Sequence, residues 1–171
     1  MELTKNNLTK FTQLLPKKIT EERDKFVGKV GGYWDILARK SFYEATSRWF
    51  HDAFKLDAKN YLYVEAQNCP IGFSGGRKFF GSKIYPDAAL VIPNQLSVAI
   101  ELDHGKSGST LRNALGKATF SVMLGFDCAI LLFFLDPPYS AAAFSQQYLT
   151  EEEKRILEIY RTQFKTTVHL I

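Results

Sequence analysis

The chain has 171 residues, which fits one domain, and 46% are hydrophobic and 14% aromatic, enough for a substantial core. The charged fraction of 23% argues against disorder, and the net charge of +4 is compatible with a polyanionic partner without identifying one. The longest apolar stretch, residues 128–135, is too short to cross a membrane. The two cysteines, Cys69 and Cys128, lack zinc-site spacing. We therefore expect one cytoplasmic domain, residues 1–171, with free thiols and no membrane segment.

The first third of the chain is predicted to be helical. Residues 5–29 are typical of one or two short polar helices broken at Pro16, which lacks an N–H donor. A new helix is predicted to begin at Thr20, because acidic residues follow it in the first turn. Residues 34–55 are predicted to form an amphipathic helix, since apolar residues recur at spacings of three and four from Phe42 onward.

Three strands are predicted next. Residues 61–67 alternate between apolar and polar side chains, which is typical of a strand with one buried face. Residues 85–92 and 95–103 are the second and third strands. The short break between them, which contains Pro93, predicts a hairpin.

The second half of the chain alternates between helical and strand patterns. Residues 111–125 have helical spacing, and the apolar run 129–135 is typical of a strand covered on both faces. A last helix is predicted over residues 150–164 and a terminal edge strand over 166–171. A helix between two strands favours a right-handed crossover that joins parallel strands. The sequence thus predicts an α/β fold in which helices flank a mixed sheet.

Acidic residues stand on two neighbouring predicted strands. Alternation along the third strand puts Glu101 and Asp103 on one face, and hairpin pairing can bring Asp87 beside Glu101. Carboxylates this close repel each other unless a cation lies between them. Three converging carboxylates would form an all-oxygen site suited to Mg²⁺ or Mn²⁺. The alternative is that these acids lie on an exposed sheet face and bind nothing.

Asp87, preceded by a proline, and Glu101-Leu102-Asp103, followed by a basic helix, resemble the PD-(D/E)XK nuclease superfamily, which includes restriction enzymes and junction resolvases. The resemblance covers about residues 34–135. It implies a three-layer restriction-endonuclease-like core, in the order helix, three strands, helix and strand, here with extra N- and C-terminal helices. It also implies that Asp87 and Glu101 bind a divalent metal, with Asp103 as a third ligand or as a residue that orients water.

The third position of the motif departs from the family, which usually has lysine where this chain has Asp103. Two lysines are candidates to contact the scissile phosphate in its place. Lys106 is expected in the loop after the third strand, and Lys117 on the helix, one turn after Asn113. Members of this family often add a glutamate from the first helix, and Glu44 is the candidate for that role.

Basic residues near the second strand are candidates to contact the DNA backbone, because phosphates are commonly bound by Arg and Lys on loops. These are Arg77, Lys78 and Lys83, and Asn113 joins them from the helix. The alternative is that the three cations form a solvated hairpin tip.

Taken together, the resemblance implies an Mg²⁺-dependent endodeoxyribonuclease of the restriction, resolvase or nicking type. Cutting both strands would favour a homodimer, since the chain leaves no room for a separate DNA-reading domain. One alternative is an inactive nucleic-acid-binding or assembly protein on the same fold, because Asp103 replaces the usual lysine. Another is an unrelated domain in which Asp87 and Glu101 lie far apart. The sequence leaves RNA open as a substrate.

Overall fold

A five-stranded mixed sheet with helices on both faces organises the protein, as seen in a computed structural model. The structure describes residues 8–26, 34–64, 78–79, 82–83, 85–92 and 96–171. The helices are α1 (Leu8–Glu21), α2 (Trp34–Trp49), α3 (Gly108–Met123), α4 (Ala141–Tyr148) and α5 (Glu151–Gln163). The strands are β1 (Leu62–Val64), β2 (Lys78–Phe79), β3 (Ser82–Lys83), β4 (Ala88–Ile92), β5 (Leu96–Gly105), β6 (Cys128–Leu135) and β7 (Thr166–Leu170).

The large sheet has the strand order β1-β4-β5-β6-β7. The first three strands are antiparallel neighbours, and the last three run parallel. In one row across the sheet, Val64 pairs with Ala88 and Ala88 pairs with Ile100. In the next row, Glu101 of β5 pairs with Leu131 of β6. A separate two-stranded sheet is formed by β2 and β3.

Alternation along the inner strands separates two apolar layers. Ile100 and Leu102 of β5 pack in the layer that α1 and α2 cover, whereas Ala99 packs in the layer beneath α3 and α4. Strand β6 contributes buried apolar side chains to both layers, which confirms a strand covered on both faces. Glu101 and Asp103 have the same parity as Ala99, so they belong to the α3 face.

Most predicted elements are confirmed, with shifted ends. The long helix, the hairpin of β4 and β5, the helix α3, the parallel strands β5 and β6, the last helix and the edge strand β7 are all present. Strand β1 covers residues 62–64 of the predicted 61–67, and residues 65–67 lie outside the described part of the chain. Helix α4 was not predicted, because eight residues around one buried side chain, Phe144, give little periodicity.

Two predictions at the N-terminus are wrong. Pro16 lies inside α1 and does not break it. Thr20 lies in the last turn of α1 and does not begin a new helix, and its Oγ1 donates a 2.8 Å hydrogen bond to the Pro16 carbonyl. Leu15 and Ile19, on the same side of the helix, are completely buried in the core. Tertiary packing of this face therefore outweighs the hydrogen bond that the proline cannot make.

The cysteines and the length of the helices relate to what composition predicts for this chain. Cys128 is a free thiol, and burial raises its pKa to about 11. Cys69 lies outside the described residues. Within the described ranges, no helix combines the length and the apolar character needed to span a bilayer.

Candidate functional site

Two carboxylates face each other at the start of β4. Since Ala88 pairs with Ile100, Asp87 stands opposite Glu101 in the adjoining row. Asp87 Oδ2 accepts a 2.9 Å hydrogen bond from the backbone amide of Leu102. The side chain of Asp87 thus takes the place of a backbone acceptor at this end of the strand pair and is held beside Glu101.

Glu101 is buried, with 6% of its surface exposed. Burial first, and the nearby charge of Asp87 second, raise the pKa of Glu101 to about 8. Its Oε1 accepts a 3.1 Å hydrogen bond from the hydroxyl of Ser121, a completely buried residue of α3. The Glu101 carboxyl therefore holds a proton at neutral pH unless a cation approaches the pair.

A lysine ammonium lies beside these acids. Lys117 Nζ is 3.2 Å from Asp103 Oδ2, and Asp103 Oδ1 accepts a 2.8 Å hydrogen bond from the His104 amide. Burial disfavours the charged form of Lys117, but the charge of Asp103, supported by Glu101 and Asp87, outweighs it and raises the Lys117 pKa. Of the two lysine candidates, it is Lys117 whose charge acts on the acids.

The packing of α3 on the sheet positions these partners. Ser107 caps the helix, and its Oγ accepts a hydrogen bond from the Thr110 amide. A Cβ at Gly105 would lie 2.7 Å from Thr110 Cγ2, so glycine is what permits the start of α3 to approach β5. Lys117 and Ser121 are four residues apart on α3 and therefore share one stripe of the helix, above the acids.

Arg39 reaches Asp87 from α2, the helix on the opposite face. Its Nη1 lies 3.4 Å from Asp87 Oδ1, and about a fifth of each side chain is exposed. Burial raises the pKa of Asp87, although the Leu102 amide and the Arg39 charge oppose the rise. Asp87 is thus contacted by the Leu102 amide of the adjoining strand and by a guanidinium from α2.

Other predicted site residues lie in the turn between β5 and α3, on α3, and in the two-stranded sheet of β2 and β3. Lys106 is exposed in the turn between β5 and α3, as expected. Asn113 is exposed on α3, one turn before Lys117. Lys78 and Lys83 pair across the β2–β3 hairpin.

Arg77 lies outside the described residues. Glu44 is exposed on α2 and lines a pocket to which, among the residues described, Asp87, Glu101 and Asp103 do not contribute. The structure thus brings Asp87, Glu101, Asp103 and Lys117 together and places Glu44 in a separate depression.

His104, next to Asp103, is directed to the other layer. Its ring stacks on Trp34 with 4.3 Å between ring centroids, and its Nδ1 lies 3.0 Å from Asp136 Oδ1. Trp34 belongs to the apolar layer beneath α1 and α2. The imidazole is therefore occupied on the face opposite Glu101.

Sequence reasoning missed two partners of the acids, Arg39 and Ser121. The position of Ser121, one turn after Lys117, was a usable signal, since both residues then share a helix face. The contact of Arg39 had no local signal, because it depends on how α2 lies across the edge of the sheet.

The three predicted metal ligands are not arranged as a three-carboxylate coordination site. In the described part of the chain, no group of three or more His, Cys, Asp or Glu side chains is arranged to hold a metal ion, and Asp103 is paired with Lys117. Mg²⁺, however, is usually held by one or two carboxylates, with water and substrate phosphates as its other ligands. The repelling pair of Asp87 and Glu101 fits that requirement as a two-carboxylate site.

Comparisons with protein-family models, curated proteins and solved structures found no match to this chain. The geometry of the acids and their cationic neighbours is therefore what indicates a function.

Proposed function

We propose that the protein is a metal-dependent endodeoxyribonuclease built on a restriction-endonuclease-like core. The observation that carries the proposal is the pair formed by the buried Glu101 and the half-buried Asp87, with the ammonium of Lys117 beside it. An acid pair of this kind costs stability, which makes a functional site the better explanation for it. Hydrolysis of a phosphodiester needs the groups found here, namely hard oxygen ligands and a cation for the phosphate.

The roles of the side chains follow from their positions. Asp87 and Glu101 would hold Mg²⁺ or Mn²⁺, which when bound supplies water activation near neutral pH and neutralises phosphate charge. Glu101 would release its proton as the cation enters, because a positive charge at the carboxylate would offset both its burial and the charge of Asp87. Lys117 would donate to an oxygen of the scissile phosphate, and Asp103 would orient that ammonium.

The partner in this proposal is DNA. The paired Lys78 and Lys83, the neighbouring Arg77, and Asn113 on α3 are proposed to contact the phosphate backbone. A homodimer would bring two such centres to the two strands of a duplex.

A catalytically inactive nucleic-acid-binding or assembly protein is the second candidate. It is favoured by the ion pairs already present, since Arg39 contacts Asp87 and Lys117 contacts Asp103. Acids balanced in this way by cations of the same chain can persist without a metal.

The test is cleavage of supercoiled plasmid and of branched duplexes in Mg²⁺, Mn²⁺ or EDTA. Asp87→Asn keeps an oxygen for the Leu102 amide but removes the charge. We expect it to lower cleavage by more than about 100-fold, because loss of a residue that only supports a metal ligand already costs up to about 100-fold. Lys117→Ala is expected to lower cleavage about as strongly. Asp52→Asn is the matched control, because that side chain is 77% exposed.

Three outcomes separate the candidates. Metal-dependent cleavage lost in Asp87→Asn and retained in Asp52→Asn supports the nuclease. Retention of DNA in a gel shift without cleavage of any substrate supports the binding protein. Absence of both cleavage and retention would reject a function on nucleic acid.

A further inference from the structure

A surface pocket opens beside the acid pair on the α2 side of the sheet. It has a volume of about 550 Å³ and is lined by Ile36, Arg39, Lys40, Tyr43, Glu44 and Val64. Five of these residues recur at three- and four-residue spacings on α2, so they form one face of that helix. The sixth, Val64, ends β1.

One residue, Arg39, connects the pocket to the proposed catalytic centre. Val64 pairs with Ala88, the residue after Asp87, so the floor of the pocket is one strand away from the acid pair. Arg39 lines the pocket and also contacts Asp87 Oδ1 at 3.4 Å. Glu101 faces the α3 layer, so a DNA strand whose phosphate lies at Asp87 and Glu101 would reach the pocket with a neighbouring nucleotide by passing the end of β4 at which Arg39 contacts Asp87.

The lining combines apolar and cationic groups in the way a single nucleotide requires. Ile36, Val64 and the ring of Tyr43 offer apolar and aromatic surface to a base. Lys40 offers a cation to a phosphate beside Arg39, which also contacts Asp87, and Glu44 is the one carboxylate among the six lining residues.

The size of the pocket argues against an intact duplex as its occupant. A volume of this order suits a small molecule or one nucleotide. Bases in a duplex expose only their edges, whereas an aromatic or apolar wall is used by the face of an unstacked base. Turning a base out of the stack costs least where the base is already unpaired.

We propose that this pocket receives one unstacked nucleotide of the strand that is cut, so that the substrate class is single-stranded or locally unpaired DNA. The proposal rests on the nuclease function proposed above and specifies its substrate. Flaps, loops and branch points present such nucleotides, and continuous duplex does not.

The test measures binding separately from cleavage. Fluorescence anisotropy in EDTA would compare a labelled single strand of about 12 nucleotides, within the usual range of single-strand sites, with a fully paired duplex of the same sequence. We expect the single strand to bind more tightly. Tyr43→Leu keeps an apolar side chain but removes the aromatic face, and it should weaken single-strand binding at least about fivefold, with little change for the duplex.

Lys40→Ala provides a second variant that does not disturb the core, since Lys40 is exposed. It should reduce the slope of log affinity against log salt by about 0.7 for the single strand, the effect of one lost phosphate contact. Tyr160→Leu and Lys154→Ala are the matched controls, because both residues lie on α5, which packs on the opposite edge strand of the sheet. Neither control should change binding.

The outcomes distinguish this proposal from the nuclease proposal. Unchanged single-strand binding in both pocket variants, or an equal loss for duplex, would overturn the unstacked-nucleotide site even if Mg²⁺-dependent cleavage were found. Selective loss of single-strand binding in both variants, without cleavage of any substrate by the native chain, would support the pocket and reject the nuclease.

Discussion

Strands β5 and β6 lie side by side in parallel and pack against the same two layers, yet they differ in polarity. Every residue of β6 is apolar, and seven of its eight are buried. Opposite Leu131 and Phe133 of β6, strand β5 carries Glu101 and Asp103. The fold can therefore be completed at this depth by apolar side chains, and the acids of β5 are not there for packing.

The difference between the two strands indicates that β5 lowers the stability of the fold at the position of Glu101. Glu101 is buried next to Asp87, and its pKa of about 8 expresses the cost of ionising it there. Leu131, its direct neighbour, is completely buried without such a cost. A carboxylate placed at position 131 and an apolar side chain placed at position 101 should therefore change the free energy of unfolding in opposite directions.

The largest expected effect comes from placing a carboxylate on β6. Leu131→Glu should lower the free energy of unfolding by about 3–5 kcal/mol, as expected for a buried charge without a partner, and the existing Glu101 would add repulsion. Glu101→Leu should raise it by about 1–4 kcal/mol while removing a proposed metal ligand. Urea unfolding near pH 8 in EDTA measures both. A loss below about 1 kcal/mol in Leu131→Glu would mean that β6 tolerates charge as well as β5 does.

An intermediate effect is expected from pH. The pKa of Glu101 is raised from 4.5 to about 8 in the folded chain, so the folded chain keeps a proton that the unfolded chain releases between these values. Its stabilising contribution is complete below about pH 4.5 and is lost as the pH rises to about 8, by up to about 1.4 kcal/mol per pH unit.

Thermal melts from about pH 5.5 to 8 in EDTA would detect this slope, and Glu101→Gln should flatten it. If the proposed metal site exists, Mg²⁺ should raise the melting temperature more at the upper end of the range, because a cation would bind the ionised pair. Equal slopes for the native chain and Glu101→Gln would contradict the assignment of this proton to Glu101.

The smallest effect is expected at the hydroxyl that supports Glu101. Ser121→Ala removes the 3.1 Å hydrogen bond to Glu101 and should cost about 1 kcal/mol of unfolding free energy, with about a tenfold loss of cleavage. Thr119→Val is the matched control, because the buried Thr119 hydroxyl on the same helix donates to the Leu115 carbonyl and not to an acid. Similar cleavage rates in the two variants would remove Ser121 from the site.

Sequence pattern was sufficient for the parts of the fold in which periodicity and burial agree. The alternation that placed Glu101 and Asp103 on one face of β5, and the apolar run that became β6, depend only on neighbouring residues. Pro16 was misjudged because its effect depends on the packing of Leu15 and Ile19 against the core, which no local rule contains.

The candidate site divides in the same way. The pairing of Asp87 with Glu101 followed from hairpin register, and the proximity of Lys117 from its place on the crossover helix. The contact from Arg39 and the pocket on α2 required the position of one layer relative to another, at a sequence separation of 48 residues. Contacts of this kind are determined by how the layers pack, and they produce no periodic pattern in the sequence.

The hydrogen bond from the Leu102 amide to Asp87 has a consequence for how related chains would diverge. A descendant without the proposed catalysis would still need an oxygen at position 87, because the Leu102 amide would otherwise be left without its acceptor. Among the described residues, the Glu101 side chain accepts from the Ser121 hydroxyl and not from a backbone amide. An apolar replacement at position 101 would therefore be selected for the stability it adds. Among descendants of this protein, retention of Glu101 would thus mark the lineages that kept the proposed activity, whereas Asp87 would be retained even where that activity had been lost.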